Sequence, residues 1–195
     1  MQLENCDQFF APFAGQPLLV GFSGGADSTA ALLAALRARD RFGCPVTAIH
    51  FEHGLRGEES RQDAAAARAF AGRCDVPFRE IPLELVPGPG IEAHARAARL
   101  TVWKQLTAEI PGAVVVLGHH ADDCIETLFL RLARGSNASG LAGMRPVSRL
   151  DGITILRPLL PFPRAEIEEF LKRRKIRWRT DSSNQENYFS RNTVS

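Results

Sequence analysis

The sequence predicts an α/β protein: a mostly parallel sheet with helices on both faces, plus a short helical extension at its C-terminal end. Three observations predict it. Short apolar runs alternate with longer stretches of helical period, the pattern of parallel strands joined through crossover helices. The first run ends in a glycine turn, Ser23-Gly24-Gly25-Ala26-Asp27-Ser28, and the strong helix formers AALLAALRA follow almost at once. A chain of 195 residues that is 45% hydrophobic and 24% charged is long and apolar enough for one globular domain with a real core.

The first strand is expected over residues 18–22, where Leu18, Leu19, Val20 and Phe22 make a short apolar run. A helix over 28–39 follows, then a strand over 46–51 and a helix over 58–74. A weaker strand over 78–82 leads into residues 85–90, LVPGPG, whose prolines and glycines sustain neither period and read as a loop. A helix over 91–109 and a strong strand over 113–118 come next. In the helix expected over 121–134, Ile125, Leu128, Phe129 and Leu132 recur at helical spacing and mark the face expected to be buried. A weaker strand over 153–156 ends the sheet pattern near Arg157-Pro158. This boundary divides the chain into residues 1–157 and an extension, 158–195. In the extension, Pro163 sits near the start of a helix over 164–175 with Ile167, Phe170 and Leu171 as its apolar face. Ligands of such sheets bind beyond the carboxyl ends of the strands, and the charged motifs fall at that edge.

Bulk properties exclude several classes. A net charge of +2 and a pI near 8.5 carry little weight for nucleic acid, so local charge must decide. Cys6, Cys44, Cys74 and Cys124 form no C-x-x-C pair, which argues against a zinc site and against the paired thiols of a redox or sulfur-transfer enzyme. The N-terminal residues MQLENCDQFF lack the basic and apolar regions of a signal peptide, and no stretch approaches membrane-span length. A cytoplasmic protein with no membrane partner is expected.

The glycine turn has the makings of an anion site, since its backbone can bend several N–H groups together at the positive end of a helix. It has no Walker lysine and no G-x-G-x-x-G spacing. Asp27 instead places a carboxylate within the cradle, where it repels phosphate unless a divalent cation intervenes; magnesium is expected there. The competing reading is a ligand-free strand-to-helix turn with Ser28 as N-cap. SGGADS resembles the SGGxDS loop of the PP-loop ATP pyrophosphatases, which split ATP into AMP and pyrophosphate. That superfamily spans GMP synthetase, asparagine synthetase, tRNA thiolases and tRNA(Ile)-lysidine synthetase, and the loop does not choose among them.

Further motifs narrow the resemblance. His50-Phe51-Glu52-His53-Gly54-Leu55-Arg56 reads either as a polar loop or as a place where Arg or His reaches phosphate and Phe51 lies against an adenine ring. It resembles the H-x-[ND]-H-G-L-R-x-E-S signature of lysidine synthetases, with Glu52 at the Asn/Asp position. His119-His120-Ala121-Asp122-Asp123-Cys124-Ile125-Glu126-Thr127 resembles their H-H-x-x-D-x-x-E-T, with Cys124 where glutamine is common. Acids at a helix start also serve as caps, but Asp123 and Glu126 lie three apart on one face, where together they can hold magnesium or an amine. Arg96 and Arg99 read as a solvated basic face or as the two arginines of the family's E-x-x-A-R-x-x-R-[YF], with Leu100 replacing the aromatic. Arg134-Gly135-Ser136 with residues 140–144, Arg157-Pro158-Leu159-Leu160, and Asp181-Ser182-Ser183-Asn184 through Tyr188, Arg191 and Asn192 resemble three more family motifs. The basic run Lys172, Arg173, Arg174, Lys175, Arg177 and Arg179, with Trp178 among the cations, reads as a solvated helix end or as a phosphate-binding strip.

The resemblance implies a Rossmann-like fold of the adenine nucleotide alpha hydrolase type, with residues 1–157 as the catalytic domain. It implies ligation of lysine to C2 of the wobble cytidine of the CAU-anticodon tRNA(Ile): ATP adenylates the C2 oxygen, and the lysine amine then displaces AMP. It places ATP on Ser23, Gly24, Gly25, Ala26, Asp27, Ser28, His50, Phe51, Arg56 and His119, and magnesium on Asp27 and Asp123. Asp27, Asp123, Glu126, Arg96 and Arg99 are its catalytic candidates; Arg191 and the basic run are its tRNA contacts. A homodimer stays open. Three alternatives remain at this level: a PP-loop thiolase, a GMP-synthetase-like amidotransferase, and a fragment that binds ATP or tRNA without turnover, since the chain stops at Ser195 where the family pattern continues.

Overall fold

A computed structural model describes residues 1–52, 58–83, 88, 90–133 and 143–179. A short helix α1 (Asp7–Phe10), flanked by 3-10 turns, precedes β1 (Leu18–Gly21) and α2 (Ala26–Phe42). Then come β2 (Val46–Glu52), α3 (Glu58–Arg73), β3 (Phe78–Pro82), α4 (Ile91–Glu109) and β4 (Val114–Val116). The chain continues with α5 (Ala121–Ala133), the hairpin β5 (Val147–Leu150) and β6 (Ile153–Leu156), and α6 (Arg164–Arg173).

The six strands form one sheet in the order β3-β2-β1-β4-β6-β5. All neighbours pair in parallel except β5 with β6. Leu18 and Val20 enter one core with α2, α3 and α6, while Leu19 enters a second with Trp103 and Leu106 of α4. A central strand buried on both faces must be apolar at every position, which is why β1 reads as a continuous run rather than an alternation. From β1 the chain winds outward to β2 and β3, and then returns to place β4 on the other side of β1. The strand order therefore reverses between β1 and β4, leaving a crevice at their carboxyl ends.

Three expectations need correction. The apolar stripe of α5 is not buried: Ile125 is 53% exposed and Phe129 66%, with Leu128 and Leu130 also exposed, and the side chain of Leu132 lies outside the described residues. Helix α2 starts at Ala26, so Ser28 belongs to its first turn and Gly25 is the N-cap. Strand β5 was not foreseen, because its side chains are largely exposed and carry no clear alternation. The signal was in its turn, where Asp151 and Gly152 take φ of +50° and +84°, the paired positive values of a tight hairpin.

Candidate active site

The glycine turn joins β1 to α2 at the crevice between β1 and β4. Gly24 has φ of +86°, a left-handed backbone that strains any side chain. Two serine hydroxyls brace the loop from within. Ser28 Oγ accepts from Ser23 N at 3.2 Å and lies 3.1 Å from both Gly25 O and Ser23 Oγ, which itself accepts from Gly25 N at 3.3 Å. The amides of Ala26, Asp27 and Ser28, at the start of α2, are those for which a helix provides no acceptor.

Asp27 lies in this first turn, and Gly118 lets the end of β4 close against it. A Cβ at 118 would stand 2.8 Å from the carbonyl carbon and oxygen of Asp27, so only glycine permits the approach. Asp27 Oδ1 is buried without a hydrogen-bond partner. Its Oδ2 lies 3.8 Å from His120 Nε2 and 3.8 Å from Arg164 Nη1. Burial pushes the Asp27 carboxyl up from the usual carboxylate range; His120 and Arg164 oppose that shift and Asp123 adds to it.

The second half of the site opens α5. Asp123 Oδ2 accepts from His120 N at 2.9 Å, the backward reach of an N3 carboxylate in a capping box, so the cap reading holds for this oxygen. The same oxygen lies 3.6 Å from His120 Nε2, and His120 Nδ1 lies 3.6 Å from Asp122 Oδ2. One buried imidazole therefore sits among three carboxylates drawn from α2 and α5. Glu126, one turn further along α5, is exposed. Asp122 Oδ2 accepts from Arg164 N at 2.8 Å, stitching the start of α5 to the start of α6.

Arg157 donates from Nε to His119 Nδ1 at 3.3 Å and from Nη1 to Ser148 Oγ at 2.8 Å. Burial foremost, and then the Arg157 charge, draw His119 below the ordinary imidazole value, with Asp123 opposing and Arg96 adding to the shift. Arg99 turns back on its own helix, donating from Nε to Ala95 O at 3.3 Å. His50 is buried, its Nδ1 2.9 Å from Phe22 O, and Phe51 packs edge-on against Trp103 with ring centroids 5.1 Å apart. Arg56 and Arg191 lie outside the described residues, as do the motifs at 134–136, 140–142 and 181–192.

The basic run divides. Lys172 and Arg173 pair with Glu168 and Glu169 of the same helix at 3.9 and 3.8 Å, and Arg174 stacks over Phe170. Lys175 and Arg177 are exposed. Arg179 instead joins the glycine turn: its N–H donates to Gly24 O at 3.0 Å, and its guanidinium pairs with Asp63 of α3. Sequence reasoning missed His120, Asp122, Arg157 and Arg164 as members of the site. The contacts that place Arg157 and Arg164 there span 38 and 42 residues of sequence, beyond any local pattern.

A reversal of strand order beside a glycine turn that opens a helix defines a nucleotide-binding α/β protein of the doubly wound class. The chain belongs to the PP-loop domain family, which it matches over residues 2–195. It is 42% identical to a tRNA(Ile)-lysidine synthase of Solibacter usitatus over 184 residues, which cover 93% of this chain and 40% of that protein. It is 44% identical to the tRNA(Ile)-lysidine synthase of Porphyromonas gingivalis strain W83 over 182 residues, covering 91% of this chain and 38% of that one. The chain thus spans about two fifths of the length of these curated relatives. Among solved structures, a U34-tRNA thiolase from Methanococcus maripaludis superposes with a TM-score of 0.70 at 14% identity, covering 91% of this chain and 65% of that one. An NH3-dependent NAD synthetase from Campylobacter jejuni reaches 0.57 at 17% identity, covering 90% and 75%. At these identities the two structures speak for the fold.

Proposed function

We propose that this chain carries the ATP-using catalytic site of a tRNA(Ile)-lysidine synthase, converting the wobble cytidine of the CAU-anticodon tRNA(Ile) to lysidine in the cytoplasm. The observation that carries the reading is the meeting of Asp27, His120 and Asp123 within 4 Å of one ring nitrogen, at the mouth of a braced glycine turn. In the first step the C2 oxygen of cytidine attacks the α-phosphorus of ATP and the bond to the bridging oxygen of pyrophosphate breaks. In the second, the lysine amine attacks C2 and AMP departs with the oxygen.

The loop amides and the start of α2 suit the phosphates, where preorganised donors offset developing charge. The orphaned, buried Oδ1 of Asp27 fits a magnesium ion, which takes one or two carboxylates and completes its shell with substrate phosphates and water. Among the described residues no three or more metal-ligating side chains are arranged to hold a metal ion by themselves, so substrate phosphates and water would complete the shell. Magnesium, when bound by Asp27 with Asp123, would neutralise charge on the departing pyrophosphate. Glu126 and Asp123 suit the incoming ammonium and the proton it must lose.

Two of the four cysteines are unsuited to a thiolase's chemistry. Cys6 is buried with its Sγ donating to Pro158 O at 3.6 Å, and burial raises its thiol to about 12. Cys44 is buried and bonded to Phe13 O at 3.3 Å. Such thiols are inert as sulfur carriers. Among the described residues no helix is long and apolar enough to cross a membrane.

The test supplies labelled lysine, ATP and magnesium to unmodified CAU-anticodon tRNA(Ile). ATP-dependent label in the RNA, lost when the wobble cytidine is changed, supports the reading. Pyrophosphate release without label would reduce it to the activation step, and wild-type release by a folded Asp27→Ala variant would remove Asp27 from the mechanism.

A further inference from the structure

A PP-loop has no Walker lysine, and in this chain every ionisable side chain of the turn itself is an acid: Asp27 is the only one in Ser23-Gly24-Gly25-Ala26-Asp27-Ser28. The α5 side adds Asp122, Asp123 and Glu126. A site that must hold a polyphosphate is therefore rich in like charge. The fold supplies a cation from far along the chain. Arg164, the first residue of α6, places Nη1 3.8 Å from Asp27 Oδ2.

Two features mark this guanidinium as positioned rather than incidental. Its backbone N–H is held by Asp122 Oδ2 at 2.8 Å. Its Nε donates to Glu168 Oε1 at 3.2 Å, one turn along the same helix, which fixes the direction of the fork. The contact to Asp27 is nevertheless too long for a hydrogen bond. The Nη side of the fork is thus close to the glycine turn without being bonded to its carboxylate, and Asp27 Oδ1 beside it has no partner of its own.

We infer that Arg164 is a pyrophosphate-binding residue of this site, the fixed cation that occupies the electrostatic role of the missing P-loop lysine. This deepens the proposed function and rests on the reading of the turn as an ATP site. A phosphate oxygen received between the fork and the loop amides takes the place of the loose contact with Asp27, and a planar fork with its Nε already committed offers two further donors to adjacent oxygens. Arg164 then binds the β and γ phosphates in ATP and the anion that leaves.

The experiment measures binding of inorganic pyrophosphate and of AMP, each with magnesium, to the whole chain by titration calorimetry, for wild type, Arg164→Gln and Arg164→Lys. Arg164→Gln should weaken pyrophosphate roughly 10- to 100-fold, the worth of one or two charge-assisted hydrogen bonds, while AMP affinity stays as in wild type. Arg164→Lys should recover part of the loss, because the charge returns without the fork. Equal pyrophosphate affinity in wild type and Arg164→Gln would overturn the assignment, and so would a parallel loss of AMP and pyrophosphate, which marks a structural role. A wild-type chain that binds AMP but not pyrophosphate overturns the assignment alone; one that binds neither overturns it together with the nucleotide reading.

Discussion

Arg157 can only donate a hydrogen bond, so its 3.3 Å contact makes His119 Nδ1 the acceptor and places the proton of the neutral ring on Nε2. Burial and the Arg157 charge both favour that neutral ring. His119 is therefore a fixed donor at the edge of the site rather than a floating charge. Because its folded value is depressed, it contributes stability above its ordinary value of about 6.5, and that contribution is lost as pH falls toward the folded value. NMR titration should place His119 below the ordinary range and move it upward in Arg157→Gln, with a flatter acid limb in the unfolding curve. An unshifted His119 in the wild type would refute the contact. Some of this was legible. Asp27 stood out as a carboxylate in an anion cradle, and Asp123 as one acid more than a cap requires. Arg157 and Arg164 were not, because their value comes from partners that only the folded chain brings near.

Helices α5 and α6 carry the same kind of apolar spacing and meet opposite fates. Ile167 and Leu171 of α6 are fully buried against the core of β1 and α2, whereas Ile125 and Phe129 of α5 face outward. Periodicity says that a helix has an apolar side; what covers that side is decided by topology. The strands were legible for the complementary reason, since β1 and β4 are apolar throughout only if both faces are covered. Mutants separate the two helices. Leu171→Ala should cost about 2–5 kcal/mol in denaturant unfolding, the range for a buried leucine, while Phe129→Ser should stay within about 0.5 kcal/mol of wild type. A large loss in Phe129→Ser would mean that its ring is covered in solution.

At the scale of the whole molecule the question is whether residues 158–195 form a unit apart from residues 1–157. Several contacts cross that line. Ile167, Phe170 and Leu171 share one core with Leu18 and Val20, the amino terminus pairs with Glu166 at 3.1 Å, and Arg179 N donates to Gly24 O. Severing α6 from the rest would expose leucine and phenylalanine side chains at about 25 cal/mol per Å² and would leave the glycine turn without one of its donors. The two tryptophans offer independent probes. Trp103 of α4 is buried against one face of the sheet, and Trp178 packs on the core of the other face within the disputed segment. In Trp103→Phe and Trp178→Phe, each leaving a single reporter, fluorescence and far-UV circular dichroism should give one midpoint within each variant, as a single cooperative unit requires. If Trp178 alone reported an earlier transition than the circular dichroism of the same variant, the extension would be a separate domain. The site would then lose Arg164 before the sheet that carries Asp27 came apart.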